Sequence, residues 1–127
     1  MTNIIDHVGF SVADFERSKA FYKAVLGTLG IQMLMDFAYE GDSHAGFGIG
    51  KPDFWIGTGQ QKRGRVHVAF VARSRAEVEA FYSVALSMGG SDNGPPGLRP
   101  QYHPGYYGAF VFDPDGNNIE AVFHGQP

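Results

Sequence analysis

The sequence predicts an α+β fold built twice over, and three observations predict it. A histidine recurs with its whole neighbourhood: residues 7–30 read HVGFSVADFERSKAFYKAVLGTLG and residues 67–90 read HVAFVARSRAEVEAFYSVALSMGG, with eight of 24 aligned positions identical. Unrelated segments would share roughly one or two. Each copy opens on a period-two stretch and passes into apolar residues at helical spacing. Each is then followed by short apolar runs broken by glycine, proline and Asp-Gly.

In the first module, residues 4–12 alternate. Val8, Phe10 and Val12 lie on one face, His7, Gly9 and Ser11 on the other, as in a half-buried strand. Asp14 is placed to cap a helix whose inward positions are Ser18, Phe21, Tyr22, Val25 and Leu29, and Gly30 ends it. Ile31–Ala38, Ala45–Ile49 and Phe54–Ile56 follow as strands, parted by Gly41-Asp42 and by Gly50-Lys51-Pro52-Asp53.

The second module restarts this order. Arg65–Ala72 alternates, with Val66, Val68 and Phe70 opposite His67, Ala69 and Val71. Ser74-Arg75-Ala76-Glu77 is a capping box for a helix that turns Val78, Phe81, Tyr82 and Ala85 inward, and Gly89-Gly90 stops it. Ser91–Pro104 carries four prolines and two glycines, which predicts loop with at most a short edge strand. Tyr106–Asp113 is a strand and Asp113-Pro114-Asp115-Gly116 a turn. Asn117–His124 closes the module, Ile119, Ala121 and Phe123 facing one way and Asn118, Glu120 and Val122 the other. Each module, about 4–60 and about 64–124, is thus strand–helix–strand–strand–strand, with helices covering one face of curved sheets.

At 127 residues, 43% hydrophobic and 18% charged, the chain reads as one domain, 1–127, because halves near 60 residues would be marginal alone. A net charge of −3 without a basic cluster excludes a nucleic-acid footprint. The absence of cysteine excludes disulfides, thiolate metal sites and cysteine nucleophiles. The opening Met-Thr-Asn-Ile-Ile-Asp-His runs into a strand pattern rather than a signal peptide, and no apolar run spans a bilayer. No membrane partner and a cytoplasmic location are expected.

The large apolar residues of each first strand must pack on a helix, so His7 and His67 project from the opposite, concave face. The parity of the last strand sends Glu120 the same way. Gly9 and Ala69, two residues beyond each histidine, leave room beside it. If the modules pair about a pseudo-twofold axis, two imidazoles and a carboxylate converge, a set that zinc, nickel, manganese and Fe(II) all accept. Tyr102, His103, Tyr106 and Tyr107 stand in or beside the proline-rich stretch. Tyr102, His103 and Tyr107 are candidate proton donors or acceptors, along with Glu120. Tyr106 and Trp55 are expected against substrate, and Arg99 opposite a substrate carboxylate.

These segments resemble the vicinal oxygen chelate superfamily, which holds glyoxalase I, extradiol dioxygenases and bleomycin resistance proteins. The resemblance rests on HVGFSVADFERSKAFYKAVLG, VHVAF and YYGAFVFDPDGNNIEAVFH, and covers nearly the whole chain. It implies two βαβββ modules in an open, incomplete barrel around one divalent metal ion, ligated by His7, His67 and Glu120. Glyoxalase I adds a glutamate on the last strand of module one. Here that strand reads Phe54-Trp55-Ile56-Gly57 and holds no carboxylate; either Asp53 before it or Gln60 or Gln61 after it stands in, or three ligands remain, as in extradiol dioxygenases. The expectation is a glyoxalase-like lyase or isomerase acting on a small substrate chelated through vicinal oxygens. The alternatives are a ring-cleaving Fe(II) dioxygenase and a drug-sequestering protein of the bleomycin-resistance type. A homodimer is expected, with the site either within one chain or across two.

Overall fold

The computed structural model describes residues 5–59 and 64–125, and Gln60 and Gln61 lie outside the described residues. Ten elements appear in the expected order: β1 (Val8–Ser11), α1 (Phe15–Gly27), β2 (Gln32–Tyr39), β3 (Asp42–Ile49), β4 (Lys51–Gly57), β5 (His67–Val71), α2 (Arg75–Ser87), β6 (Ser91–Leu98), β7 (Tyr106–Phe112) and β8 (Asn118–His124). They form two four-stranded sheets of identical topology, β1-β4-β3-β2 and β5-β8-β7-β6. In each, the first strand runs parallel to the last, and the other pairings are antiparallel. The fold is α+β with open sheets.

Both helices start where their caps place them. Asp14 accepts from the Arg17 amide, and Ser74 from the Glu77 amide. The capping box is half reciprocal: Glu77 turns to Arg73, taking its amide at 2.8 Å and its guanidinium at 2.7 Å, rather than to Ser74. One apolar core runs through both modules. Phe21, Tyr22, Phe47 and Phe54 pack with Val78, Phe81, Val111 and Ile119, and Phe54 meets Phe70 edge-on at 5.1 Å.

The turn after β7 fastens module two to module one. Asp113, 4% exposed, accepts from the Tyr22 hydroxyl at 2.5 Å, from the Asn117 amide and side chain, and from the Asp115 amide. Asp115 takes the Ala13 amide and the Ser18 hydroxyl at the start of α1. Gly116 supplies the positive φ, +84°, that the turn requires.

Three elements differ from expectation. Ser91–Leu98 is a full eight-residue strand despite its prolines. It is the outer strand of its sheet, and the register with β7 jumps from Gly94 to Gly97, so Pro95 and Pro96 owe the ladder no amide. Strand β4 begins at Lys51 instead of Phe54, with Pro52 tolerated at a register shift opposite Gly48. Strand β3 begins at Asp42, because Glu40 and Gly41 both take positive φ and close a tight hairpin.

Candidate active site on the concave faces

Alternation along β8 carries Ile119 and Ala121 into the core and turns Glu120 and His124 to the helix-free face. Glu120 is 2% exposed. Its Oε2 accepts the phenol of Tyr106 from the neighbouring strand, while its Oε1 lies 3.3 Å from Nε2 of His67. His67 Nδ1 lies 3.0 Å from the Asn118 carbonyl. A carbonyl only accepts, so Nδ1 carries the proton and, in the neutral ring, Nε2 presents its lone pair to the carboxylate. Two acceptors facing each other at this distance require a cation between them, a proton or a metal ion. Ligand atoms roughly 2.0–2.2 Å from one metal at octahedral or tetrahedral angles stand roughly 2.8–3.6 Å apart, so the pair fits two corners of a metal site. Pinning the far nitrogen to a carbonyl is also what orients metal-bound imidazoles.

His7 stands apart from this pair, just before β1. Its Nδ1 meets Asp6 at 2.8 Å, and Lys51 clamps Asp6 through both its carboxylate, at 3.0 Å, and its carbonyl. The His7 contact first, then Lys51, holds the Asp6 carboxyl below its usual range. With Nδ1 donating to Asp6, the neutral His7 ring keeps its lone pair on Nε2. Among the described residues of one chain, no three His, Asp or Glu side chains gather into a metal-holding group. His67 and Glu120 are brought together, and His7 is not brought to them.

A ring cluster continues from Glu120 toward the rim. Tyr102 packs on Tyr106 with centroids 4.8 Å apart. His103 Nδ1 faces the Pro104 carbonyl at 2.7 Å, so its Nε2 accepts from His124 Nδ1 at 2.9 Å. In the sequence alone His124 stands only as the end of the closing strand. Its even parity with Glu120 on one strand was the available signal. Phe110, also unassigned there, lies between functional groups: His67 stacks beside it at 6.4 Å and the Arg99 guanidinium sits 5.4 Å from its centroid. Arg99 donates to the Pro95 carbonyl and makes no carboxylate ion pair among the described residues.

Tyr107 is a correction. Next to Tyr106 on a strand, it points to the opposite face, donates to Glu79 of α2 at 2.7 Å and lies under Arg75. It belongs to the packing of helix on sheet. Trp55 lies on the concave side of the first sheet, in the other module, with Phe37 edge-on at 6.1 Å. Between the modules opens a cleft of about 570 Å³, with His67, Ala69 and Val71 on one wall and Ile5, Val8 and Ile49 on the other.

Burial, then the Glu120 contact, raises the Tyr106 phenol above its ordinary 10.0, and burial with Asp113 does the same to Tyr22. The folded chain therefore holds these protons more tightly than the unfolded one. Their stabilisation is complete below about pH 10 and falls as pH climbs past it. Denaturant midpoints should be insensitive to these groups up to about pH 10 and then decline, with the decline shallower in Tyr106→Phe. An identical decline in that variant contradicts the assignment.

The family model described as Glyoxalase/Bleomycin resistance protein/Dioxygenase superfamily matches residues 4–121. Among solved structures, a glyoxalase/bleomycin resistance protein from Albidiferax ferrireducens is 32% identical at TM-score 0.76, over 95% of this chain and 99% of that one. Lactoylglutathione lyase from Agrobacterium tumefaciens is 19% identical at TM-score 0.69, over 96% and 94%. Glyoxalase I from Zea mays is 23% identical at TM-score 0.72, over 94% of this chain and 45% of that one. At the latter two identities the likeness is one of fold. No curated protein matches the chain. No helix among the described residues is long and apolar enough to cross a membrane. Matched along nearly all its length, with the duplicated module and open sheets described above, the chain belongs to the Glyoxalase/Bleomycin resistance protein/Dioxygenase superfamily.

Proposed function

We propose that the chain is a divalent-metal-dependent enzyme, a glyoxalase-like lyase or isomerase, acting on a small substrate that binds through two adjacent oxygens. The observation that carries this reading is the approach of His67 Nε2 to the buried Glu120 Oε1, at 3.3 Å. The third ligand is His7 of a second copy, so the site is completed in a homodimer. The solvent-facing apolar groups beside β1 and β5, Ile5, Ile49 and Val71, each more than 60% exposed, support a covering partner. When bound, the ion would act as a Lewis acid on a substrate oxygen. Tyr106 fixes Glu120 by one oxygen and leaves the other for ligation. His103 and His124, beside Tyr106, can hold or pass a proton, while Tyr102 walls the mouth and Arg99 meets an anionic substituent. Zinc, nickel, manganese and Fe(II) all suit this donor set.

Mixing His7→Ala with His67→Ala tests the reading. Each variant alone should bind little metal. Mixed dimers regain one intact site, restoring up to about a quarter of the wild-type capacity under random pairing. A mixture no better than its components, or a clean monomer with full metal occupancy by sedimentation, contradicts the shared site. Trp55 favours a second reading, ring-cleaving dioxygenation, because it occupies the register position that Glu120 holds in module two, and the one carboxylate on its strand, Asp53, comes two residues earlier. Oxygen consumption on catechols with Fe(II) supports that reading, and turnover of hemithioacetals with zinc or nickel supports the first.

A further inference from the structure

Module two fixes its histidine inside the sheet: His67 and Asn118 are register partners, and the Asn118 carbonyl accepts from Nδ1. In module one the ladder opens at Val8 with Phe54, which leaves His7 just outside it. There a carboxylate takes the carbonyl's place. Asp6 accepts from His7 Nδ1 at 2.8 Å, and Lys51 holds Asp6 at two points, the carboxylate at 3.0 Å and the carbonyl at 2.6 Å. The residue matching Asp6 in the second copy is Val66, so this brace belongs to module one alone. We propose that Asp6 and Lys51 are positioning residues for His7, fixing its tautomer and orientation and making its Nε2 the stronger lone-pair donor of the two duplicated imidazoles. This inference rests on the metal-site reading above.

The hairpin between β3 and β4 builds the brace. Gly50 alone joins the two strands, at φ +79°, with Ile49 and Lys51 paired across it. So tight a turn sets Lys51 at the first position of β4, and β4 is the neighbour of β1 in the sheet, so the lysine reaches the segment leading into β1. The matching connection in module two runs from Asp113 to Asn117 between its paired ends Phe112 and Asn118, and its residues go to the clamp on α1 instead. The brace contributes little to folding. The side chains of Asp6, His7 and Lys51 are 72%, 60% and 56% exposed, and water and salt screen contacts between exposed charges. Their convergence on one ring nitrogen acts through the other nitrogen. Donation to a carboxylate holds the ring in a single tautomer and makes the opposite nitrogen more basic than donation to a neutral carbonyl does.

Zinc titration of the full chain, with thermal unfolding alongside, tests the brace. Asp6→Ala should weaken zinc binding about tenfold, and Asp6→Asn and Lys51→Met about threefold, with Tm unmoved in all three. In a His7→Ala background, adding Asp6→Ala should change the residual zinc affinity less than about twofold, since the carboxylate then has no ring to orient. Nitrogen NMR of the zinc-free protein gives a second readout that folding alone would not move. His7 should carry its proton on Nδ1 in wild type and shift toward the Nε2–H form in Asp6→Ala, while His67 keeps its tautomer in both. Equal zinc affinity in wild type and Asp6→Ala, an Nε2–H His7 in wild type, or an undiminished Asp6→Ala loss without His7 overturns the brace and leaves the metal reading standing. A zinc loss in Asp6→Ala that Lys51→Met does not share removes Lys51 from it. A wild type that takes up no zinc overturns the metal reading and the positioning role together.

Discussion

Asp113→Ala is expected to lower the stability of the folded chain by about 3–5 kcal/mol, or about 10–20 °C in Tm. The carboxylate is almost fully buried and receives four donors: the Tyr22 hydroxyl, the Asn117 side chain, and the amides of Asn117 and Asp115. Truncation strands all four in a site closed to water, at about 1–3 kcal/mol for each donor that finds no substitute. Relaxation of the turn toward solvent keeps the total below the simple sum. The loss also detaches the turn from α1, since Asp115 reaches Ala13 and Ser18 from the same loop. Asp113→Asn should lose less, because its oxygen still accepts. Thermal unfolding of the three proteins checks this, and an Asp113→Ala variant within about 1 kcal/mol of wild type would refute the clamp.

The second large effect concerns metal. His67→Ala should reduce divalent-metal affinity on the order of 100-fold or more while leaving Tm nearly unchanged. The separation of the two readouts follows from burial: the His67 side chain is 49% exposed, so its loss opens no cavity, whereas the side chain of its partner Glu120 is buried. Glu120→Gln should also lose metal, but it keeps an acceptor for the Tyr106 phenol and should remain folded. Elemental analysis of protein purified without added metal, alongside the two variants, reads this directly. Unchanged stoichiometry in His67→Ala removes that residue from the site.

Helices and sheet faces were legible in the chain because their signals are local. Asp14 and Ser74 cap where they stand, and strand parity alone turned His67 and Glu120 to one face. Strand β6 was less legible because proline counts against a strand only where an amide is owed. Pro95 and Pro96 occupy an outer edge at a register jump, which appears only once the neighbours are known. Tyr107 was grouped with Tyr106 through adjacency to a loop, when strand alternation already set them on opposite faces. His124 could have been found by the same rule. Parity fixes the face a histidine leaves from, yet it does not say which copy of the chain the face meets. His7 therefore read as a ligand without a place, and the equivalence of Trp55 with Glu120 emerged only from pairing register.

An unclosed sheet leaves rims that could recruit other chains into a growing ribbon. On β6 the rim carries two consecutive residues with no amide hydrogen to offer and a backbone out of step with any straight neighbour. A strand approaching from outside meets a broken row of donors and gains little by docking there. The Pro95-Pro96 pair thus lets the second sheet stay open while remaining a poor template for fibrillar growth.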